Sequence, residues 1–335
     1  MRHLAANVLS ILIVLGIVLV GAVFYAQHAY RAPGPLEADQ IFVVERGMSL
    51  RRASEQLEAE GIITDDRLFR LGARYSGQAE ALRFGEYMVP AGASMSEVLA
   101  LITSGRTITH KVTVAEGLTS WQIVELLREV DVLEGELDDV PPEGSLAPNT
   151  YFVHRGDTRA EVLARMQEDQ KAILDEAWAA RAPGLPLSSA EEVLILASIV
   201  EKETGVPEER GRVASVFVNR LKKGMKLQSD PTIIYGLTEG KGPLGRGIRK
   251  SELEKGTPYN TYVIDGLPPT PIANPGREAI MAAVNPDETN FLYFVADGSG
   301  GHAFAETLSD HNRNVQRWRQ IERERQQNQN DAAKN

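Results

Sequence analysis

The stretch LILASIVEKETGVPEERGRVASVFVNRLKKGMKLQSDPTIIYG, from Leu194 to Gly236, is the part of this sequence that says most about its fold. It places carboxylates at the end of an apolar helical run and follows them with a compact polar segment. Burial removes water from a carboxylate and penalises its charged form, so its pKa rises. A carboxyl group in such a setting can remain protonated near neutral pH and act as a general acid. The stretch therefore predicts the catalytic core of an enzyme.

The composition of the chain is that of a globular protein with an acidic surface. The sequence has 335 residues, of which 43% are hydrophobic and 24% are charged, and its formal net charge is −10. This length allows two domains with appendages. Nucleic acid is not expected as a partner, because the basic surface that phosphates require is missing. The sequence contains no cysteine, so disulfides and thiolate metal sites are excluded.

The amino terminus predicts a membrane anchor. Residues Leu4 to Ala26 contain no charged side chain and consist mostly of Leu, Ile, Val and Ala. As a helix this run would extend about 35 Å, enough to cross a bilayer core of about 30 Å. A cleaved signal peptide would have a shorter apolar region ending in a small-x-small site, and Phe24 and Tyr25 interrupt such a site here. We expect an uncleaved, single-pass anchor in the cytoplasmic (inner) membrane.

The charges that flank this run give little information on its orientation. Arg2 precedes the run and Arg31 follows it, so the positive-inside rule is nearly balanced. We expect residues 1–3 in the cytoplasm and the catalytic part of the chain outside. We expect residues 27–40 to form a linker, with the linker composition strongest in residues 31–40.

Residues 41–130 repeat one pattern three times: a strand, a turn containing glycine, and a helix capped by Ser or Thr. The three phrases are VVERGMSLRRAS, MVPAGASMSEVL and VTVAEGLTSWQIV, and Ser94 and Glu97 have the spacing of a capping box. The pattern resembles the LysM motif, a β-α-α-β fold that binds peptidoglycan. Ordinary α+β packing would give the same pattern, so both interpretations stay open.

The rest of the chain predicts a connecting region and a second domain. Residues 131–187 contain an acidic, Pro-rich excursion and a long helix from Thr158 to Ala180, which RAPGLPL ends. Residues 188–324 form the expected catalytic domain, and residues 325–335 a polar, frayed tail. The fold class is α+β: a transmembrane helix, LysM-like α+β modules, then a mixed α/β catalytic domain.

Two glutamates end the apolar helix that opens the catalytic domain. The segment Ser189-Ala190-Glu191-Glu192 has capping-box spacing, and a nearly all-apolar run then leads to Glu201 and Glu203. Gly205 is the expected C-cap. The negative end of the helix dipole favours the protonated form of a carboxyl group placed there. Helical periodicity does not choose between the two glutamates, and a solvated helix end would show the same pattern.

Polar clusters follow this helix and are candidates for binding a carbohydrate. LQSDPT precedes IIY, and PYNTY precedes a proline-rich loop, GLPPTPIANPG. Tyrosine rings beside Asn and Thr suit sugars, whose apolar faces stack on aromatic rings while their hydroxyls are hydrogen-bonded. A buried strand is expected at Phe291 to Ala296, returning as a hairpin at His302 to Phe304. An Asp-Pro turn is the alternative interpretation of the first cluster.

The motifs ASIVEKET, VASVFVNRL, MKLQSDPTIIYG, YNTY, GLPPTPIANPG and FLYFVADGSGGHAF stand here in one order. Together they resemble the MltG/YceG-like endolytic murein transglycosylases. The resemblance covers the catalytic domain, and the anchor and the LysM-like region fit the layout of that family. It implies that the first Glu of ASIVEKET, Glu201, is catalytic, with Glu203 as a supporting residue.

The resemblance implies a lyase of peptidoglycan that needs no water. Glu201 would protonate the glycosidic oxygen between N-acetylmuramic acid and N-acetylglucosamine, and then accept the proton of the muramyl C6 hydroxyl, leaving a 1,6-anhydro end. The expected role is to terminate strands of nascent peptidoglycan near the membrane, with peptidoglycan synthases as possible partners. The candidates for binding substrate and orienting Glu201 are Asn219, Gln228, Asp230, Thr232, Tyr235, Asn260 and Tyr262.

Two other functions remain open on the sequence. A lysozyme-like muramidase would need a second carboxylate, for which Asp230 is the candidate. A noncatalytic glycan-binding scaffold would not depend on Glu201. The six histidines show no metal-binding spacing, and no phosphate-binding loop or nucleophile elbow is present, so we expect no metal and no cofactor.

Overall fold

The structure, a computed structural model, describes residues 2–332 and divides into two compact units. The first unit contains residues 2–110 together with the short segments 132–134 and 152–157. The second unit contains residues 111–131, 135–151 and 158–332. The third of the three repeated phrases therefore belongs to the second unit, whereas the first two belong to the first unit.

The chain begins with a long apolar helix. Helix α1 (Arg2–Arg31) contains a candidate span, Leu9–Arg31, of 23 residues, and the most apolar 18-residue window of this span has a mean hydropathy of 2.7. None of that window is buried inside the protein. The length and composition suffice to cross a membrane, and the helix continues past the predicted end of the apolar run at Ala26 through residues 27–31, Gln-His-Ala-Tyr-Arg.

The rest of the first unit has the order β-α-α-β followed by one more helix. Its elements are β1 (Gln40–Val44), α2 (Leu50–Ala59), α3 (Asp66–Tyr75), β2 (Gly85–Val89) and α4 (Met95–Ser104). Strands β1 and β2 pair antiparallel with Phe42 opposite Tyr87, and both rings are fully buried. The predicted capping box of α4 is confirmed, since Ser94 and Glu97 exchange both hydrogen bonds.

The segment between α1 and β1, which the sequence suggested as a linker, lies against this unit. The Gly34 N–H donates to the Gly92 carbonyl (3.0 Å), and the Gly92 N–H donates to the Leu36 carbonyl (2.8 Å). A Cβ atom on Gly34 would come within 2.3 Å of the Ala93 carbonyl oxygen. The close approach of the two backbones therefore requires glycine at position 34.

The second unit is mainly helical. Its first elements are residues 111–113 of β3 (His110–Thr113), α5 (Ser120–Arg128), residues 150–151 of β4 (Thr150–Val153), α6 (Arg159–Ala179) and α7 (Ala190–Glu203). After a short 3-10 turn, Pro207–Glu209, come α8 (Arg210–Lys222), α9 (Asp230–Thr238), α10 (Lys250–Leu253), α11 (Arg277–Val284), β5 (Tyr293–Ala296), β6 (His302–Ala305) and α12 (Leu308–Ala332). Strands β3 and β4 form one two-stranded sheet, and β5 and β6 form another.

Helix α7 is the centre of the second core. All eight residues from Val193 to Val200 are buried. They pack with α8, α11 and the aromatic side chains of β5 and β6 in one hydrophobic cluster. This packing is the reason that α7 is apolar nearly all round, as the sequence predicted.

Several local predictions in the second unit were wrong. Glu192 accepts the N–H of Ser188 and not that of Ser189, so only half of the expected capping box forms. Helix α7 ends at Thr204 in extended backbone, so Gly205 is not a left-handed cap. The alternative interpretation of an Asp-Pro turn also fails, because Asp230 begins helix α9, where Pro231 is tolerated in the first turn.

The predicted strand and tail also differ from the structure. Strand β5 is half-buried throughout and not fully buried. Helix α12 continues to Ala332, so residues 325–332 of the expected frayed tail are helical. Residues 333–335 lie outside the described part of the chain.

Candidate functional site

Helix α7 carries Glu201 and Glu203 at its last turn. The Ser189 side chain accepts the Glu192 N–H and fixes the start of the helix, and the buried run fixes its rotation in the core. The last carbonyls of a helix carry partial negative charge, which disfavours a carboxylate nearby. Successive helical residues point about 100° apart, so side chains two positions apart have different neighbours.

The Glu201 side chain is only 6% exposed and lies within the second unit. Its Oε2 accepts the backbone N–H of Gly276 at 2.9 Å. Burial raises the pKa of the Glu201 carboxyl, and the negative charge of Glu116 raises it further. The Gly276 hydrogen bond and the positive charges of Arg210 and Lys202 oppose this rise without cancelling it. The group is therefore shifted toward its protonated form.

A single guanidinium joins Glu201 to a second carboxylate. The Arg210 Nη2 donates to Glu116 Oε2 at 3.0 Å and lies 3.8 Å from Glu201 Oε1. The Arg210 side chain is 12% exposed, whereas that of Glu116 is 43% exposed. Glu116 is thus the solvent-facing member of this group, and it is the carboxylate whose charge acts on Glu201.

Two glycines make room for this arrangement. A Cβ atom on Gly276 would lie 2.0 Å from Glu116 Oε1, so a side chain there would displace the Glu116 carboxylate. Gly117 has φ +77°, a left-handed conformation, and its Cβ position faces Glu201 Cγ at 3.6 Å. The Lys202 ammonium donates to the Gly117 carbonyl at 3.1 Å. The turn after β3 is thereby held against the end of α7.

A second polar group lies around Asn274, which is fully buried. Its side-chain amide donates to the Leu118 carbonyl (3.1 Å) and to Glu143 Oε1 (3.2 Å), and its Oδ1 accepts the Leu146 N–H (2.8 Å). Burial raises the pKa of Glu143, which also accepts the Ser120 N–H at 2.8 Å. Asn274 therefore fixes the loop that delivers Gly276 to Glu201.

Glu203 has surroundings of its own. Its Oε1 accepts a hydrogen bond from Ser229 Oγ at 2.5 Å. Burial raises the pKa of Glu203 to about 7 against the opposing effect of this hydrogen bond, and the charge of Asp230 adds to the rise. The Asp230 Oδ1 in turn accepts from the Tyr262 hydroxyl at 2.7 Å. Asp230, the candidate second carboxylate, thus contacts Tyr262 and acts on Glu203.

The structure brings four of the predicted binding residues near one another. Thr232 is buried and hydrogen-bonds to Thr261, the residue between Asn260 and Tyr262. Gln228 is exposed, has φ 55°, and its N–H donates to the Thr261 carbonyl. Gln228 and Asp230 are exposed and Tyr262 is partly buried, so these three residues lie at the surface on the Glu203 side of α7, whereas Thr232 lies beneath it.

The three remaining candidates lie apart or are engaged by the fold. The Asn219 amide donates to the carbonyls of Thr289 (2.8 Å) and Phe291 (3.1 Å). The amide of Asn260 donates to three backbone carbonyls of the segment 252–255. The Tyr235 ring packs on Tyr259 at an interplanar angle of 57° with ring centroids 5.0 Å apart, and burial and the charge of Glu143 raise the pKa of Tyr235. A substrate role for these residues stays a prediction.

The sequence analysis missed the residues that contact Glu201 most closely. Glu116 and Gly276 stood in segments expected to be a turn and a proline-rich loop, and Arg210 was not singled out. Glu116 and Gly276 are far from Glu201 in the chain, and the end of α7 and a 3-10 turn separate Arg210 from Glu201, so no helical periodicity could pair them. In the described residues 2–332, no group of three or more His, Asp or Glu side chains is arranged to hold a metal ion.

Comparison with known proteins gives one family. The model of the YceG-like family matches residues 42–317. The curated endolytic murein transglycosylase of Bacillus subtilis (strain 168) is 29% identical over 337 residues, which cover 90% of this chain and 91% of that protein. The protein of the same name from Streptococcus pneumoniae (strain ATCC BAA-255 / R6) is 27% identical over 374 residues. That alignment covers 93% of this chain and 65% of the pneumococcal protein, so the chain spans about two thirds of that relative.

A solved structure is similar as well. The 2.6 Å crystal structure of a YceG-like protein from Listeria monocytogenes aligns with a TM-score of 0.50 and 27% sequence identity. The alignment covers 83% of this chain and 99% of that one. The mixed α+β architecture described above is therefore shared with an experimentally determined fold.

Proposed function

The chain belongs to the YceG-like family, and we propose that it is a membrane-anchored endolytic murein transglycosylase. Its substrate is nascent peptidoglycan, and the bond it cuts is the β-1,4 link between N-acetylmuramic acid and N-acetylglucosamine. The observation that carries the proposal is the buried Glu201 carboxyl, whose pKa is raised by burial and by Glu116. The names of the curated relatives support the same activity.

The reaction begins with proton transfer from Glu201. The protonated carboxyl donates to the glycosidic oxygen, the C1–O bond of the muramyl residue breaks, and N-acetylglucosamine leaves with a free 4-hydroxyl. The sugar ring passes through an oxocarbenium-like state. The Glu201 carboxylate formed in this step is stabilised by the Gly276 N–H and by the nearby charge of Arg210.

The same carboxylate then acts as a base. It accepts the proton of the muramyl C6 hydroxyl while that oxygen bonds to C1 and closes the 1,6-anhydro ring. The proton returned to Glu201 restores the acid, so no water is consumed. One carboxyl group suffices because the nucleophile belongs to the substrate and is already held near C1.

The architecture supports a location at the cytoplasmic membrane. Helix α1 is long and apolar enough to span it, with the amino terminus inside and the enzyme outside. The first unit has the β-α-α-β order of a LysM fold, and we infer that it binds glycan. An anchored enzyme of this kind would terminate strands as they emerge, close to peptidoglycan synthases.

A hydrolytic muramidase is the second candidate, and one observation favours it. Glu116 and Glu201 contact the same guanidinium nitrogen of Arg210, so a second carboxylate lies beside the acid. A retaining or an inverting hydrolase uses two carboxylates across the scissile bond. Glu116, rather than Asp230, would be the second group in that mechanism.

The chemistry of the product decides between the two candidates. The purified full-length chain in detergent would be given polymerised glycan strands in water enriched in heavy oxygen, and the products analysed by mass spectrometry. We expect anhydro-muramyl ends without heavy oxygen, and no product from Glu201→Gln. Reducing ends that carry heavy oxygen would establish a hydrolase instead. The control is Glu191→Gln, an exposed glutamate in the first turn of the same helix.

A further inference from the structure

The end of helix α1 packs directly on the first unit. Residues 9–25 of this helix are exposed, whereas Ala26, Ala29 and Tyr30 are partly buried. The Tyr30 ring lies against α3, where a Cβ atom on Gly72 would come within 2.3 Å of a ring atom. Helix α1 also contacts α4. The apolar helix and the unit that follows it are therefore joined by side-chain packing and not by a free linker.

This packing begins where the apolar run ends. The run ends at Ala26, which is partly buried, and residues 27–31, Gln-His-Ala-Tyr-Arg, extend the helix by about 7.5 Å at 1.5 Å per residue. If α1 spans a bilayer, its last turn lies in the interfacial region. Helix α3, which contacts that turn, must then lie at the level of the lipid headgroups.

Helix α3 carries a distinct face that no part of the first unit covers. Arg67, Leu71, Arg74 and Tyr75 are exposed and recur at the spacing of one helical stripe, while Phe69 and Ala73 are fully buried on the other side. Leu71 is 61% exposed and Tyr75 is 89% exposed. We call this stripe of four residues the outer face of α3.

The composition of the outer face suits a lipid surface. Aromatic and aliphatic side chains next to arginines are typical of helices that lie in the membrane interface. The apolar groups enter the headgroup and acyl boundary, and the arginines meet the negative charge of anionic lipids. Arg70 is not part of this face, because it pairs with Asp66 and Ser54.

We propose that the outer face of α3 docks on the same membrane that holds α1, with anionic phospholipid as its partner. The proposal rests on the membrane anchoring of the proposed function and is independent of its catalytic part. Docking at this second point fixes the tilt of the first unit relative to the bilayer. Anchoring by α1 alone would leave the first unit free to rotate about the axis of that helix. The glycan-binding unit would then be held at a constant height.

The absence of cysteine from the sequence permits a direct test. Leu71→Cys and Tyr75→Cys would each be labelled with a fluorophore in the full-length chain and reconstituted in vesicles of phosphatidylethanolamine and phosphatidylglycerol. Lipids with a spin label at the headgroup would serve as quenchers. We expect quenching several-fold stronger than at Leu308→Cys, a control position of similar exposure, 56%, at the start of α12. Quenching no stronger than at Leu308 would overturn the proposal.

Two further measurements separate docking from its premises. A label at Phe24→Cys, within the apolar stretch, should be quenched by lipids that carry the spin label in the acyl chain. If Phe24 is quenched and Leu71 is not, the anchor holds and docking fails; if neither is quenched, the anchor fails as well. A label at Arg67→Cys should lose its headgroup quenching when Leu71→Asp and Tyr75→Asp are added. Persistence of that quenching would contradict the role of the two apolar side chains.

A sugar ligand is the competing occupant of this face. Tyr75 could stack on a glycan ring as well as enter a lipid interface. The label at Leu71→Cys, which leaves the Tyr75 ring in place, should therefore be insensitive to added glycan strands in detergent. A response to glycan without quenching by lipid would overturn the membrane assignment. The full-length Leu71→Asp/Tyr75→Asp variant should retain its lytic activity in detergent, because neither residue belongs to the site around Glu201.

Discussion

Glu201 and Glu203 are two residues apart on one helix turn, yet their surroundings differ. Glu201 meets a backbone N–H, an arginine and a second carboxylate, and that carboxylate is open to solvent. Glu203 lies beneath Ser229, with Asp230 as its nearest negative charge, and burial raises its pKa to about 7. A raised pKa alone would therefore fail to identify the catalytic acid, since both carboxyls have one.

Positive charges oppose the raised pKa of both carboxyls, and at Glu203 these are His302 and Arg220. The two glutamates differ in the groups that contact them directly. A general acid must reach its substrate and must also be tolerated as an anion after it donates the proton. The Gly276 N–H and the Arg210 guanidinium stabilise the anion at Glu201. Glu203 is held by a hydrogen bond to a neighbouring loop, which suits a neutral group that joins α7 to the start of α9. The predictions below separate these two roles.

The largest effect is expected for Glu201→Gln. The amide keeps an oxygen for the Gly276 N–H but has no proton to donate, so the rate of strand cleavage should fall by about 10²–10⁴-fold. Rates would be measured by chromatography of the released muropeptides. An equal loss of activity in Glu203→Gln would contradict the different roles of the two glutamates, because the buried Glu203 would then serve catalysis as well.

Glu203→Gln should instead change how stability depends on pH. In the wild type the folded pKa is about 7 and the reference value is 4.5, so the folded state holds more protons between these values and stability falls as pH rises. Glutamine does not titrate, so the variant does not lose this stability. The difference in unfolding free energy, variant minus wild type, should therefore rise by up to about 3 kcal/mol from pH 5 to pH 8.

This gain would be read from urea-induced unfolding in detergent at the two pH values, followed by circular dichroism. Glu191→Gln, exposed at the other end of α7, is the matched control and should follow the wild type at both values. A constant difference between Glu203→Gln and the wild type at every pH would show that Glu203 does not take up its proton on folding.

Glu116→Gln should move the pH dependence of the reaction and not abolish it. The charge of Glu116 raises the pKa of Glu201, so its removal lowers that pKa. A general acid works while it is protonated, and activity is lost as pH rises through its pKa. The alkaline limb of the profile of kcat/KM against pH should therefore shift to lower pH.

The profile of Glu208→Gln, an exposed glutamate of the neighbouring 3-10 turn, is the control and should not move. A loss of activity at every pH in Glu116→Gln, as large as that of Glu201→Gln, would favour the two-carboxylate hydrolase. Glu116→Gln and Glu201→Gln together thus distinguish an electrostatic role of Glu116 from a catalytic one.

The smallest effect is expected for Gly276→Ala. Gly276 has φ −73°, which alanine adopts without strain. The new methyl group would meet Glu116 Oε1, and that partly exposed side chain can move away. We expect a change in unfolding free energy of less than about 1 kcal/mol and a shift of the alkaline limb in the same direction as in Glu116→Gln. A shift to higher pH would mean that the N–H bond to Glu201 was lost instead.

The secondary structure of the first unit could be predicted closely from its sequence. The strand, turn and helix order of the first two repeated phrases and the capping box of Ser94 and Glu97 appear as predicted, because side-chain alternation and cap hydrogen bonds act over a few residues. Local predictions failed where two local signals compete. Glu192 accepts from Ser188 in place of Ser189, and the Asp-Pro pair starts a helix, although a turn was the alternative interpretation.

The polar residues proposed to bind substrate show the same limit. Asn219 and Asn260 stand in polar motifs, and sequence alone cannot distinguish an amide that faces a ligand from one that satisfies backbone carbonyls. The structure gives both amides such carbonyl partners. An amide inside the fold must find hydrogen-bond partners, and these were supplied by loops distant in sequence.

The sequence by itself determined the apolar span, the strand and helix positions, and the placement of two carboxyls at the end of a buried helix, because these depend on residues close together in the chain. The tertiary structure alone decided which groups surround each carboxyl. Gly276 is 75 positions from Glu201, and it reaches Glu201 because the core fixes α7 and Asn274 fixes the loop that carries Gly276. Charge and burial act through space, so the pKa of Glu201 depends on this packing, which no local pattern encodes.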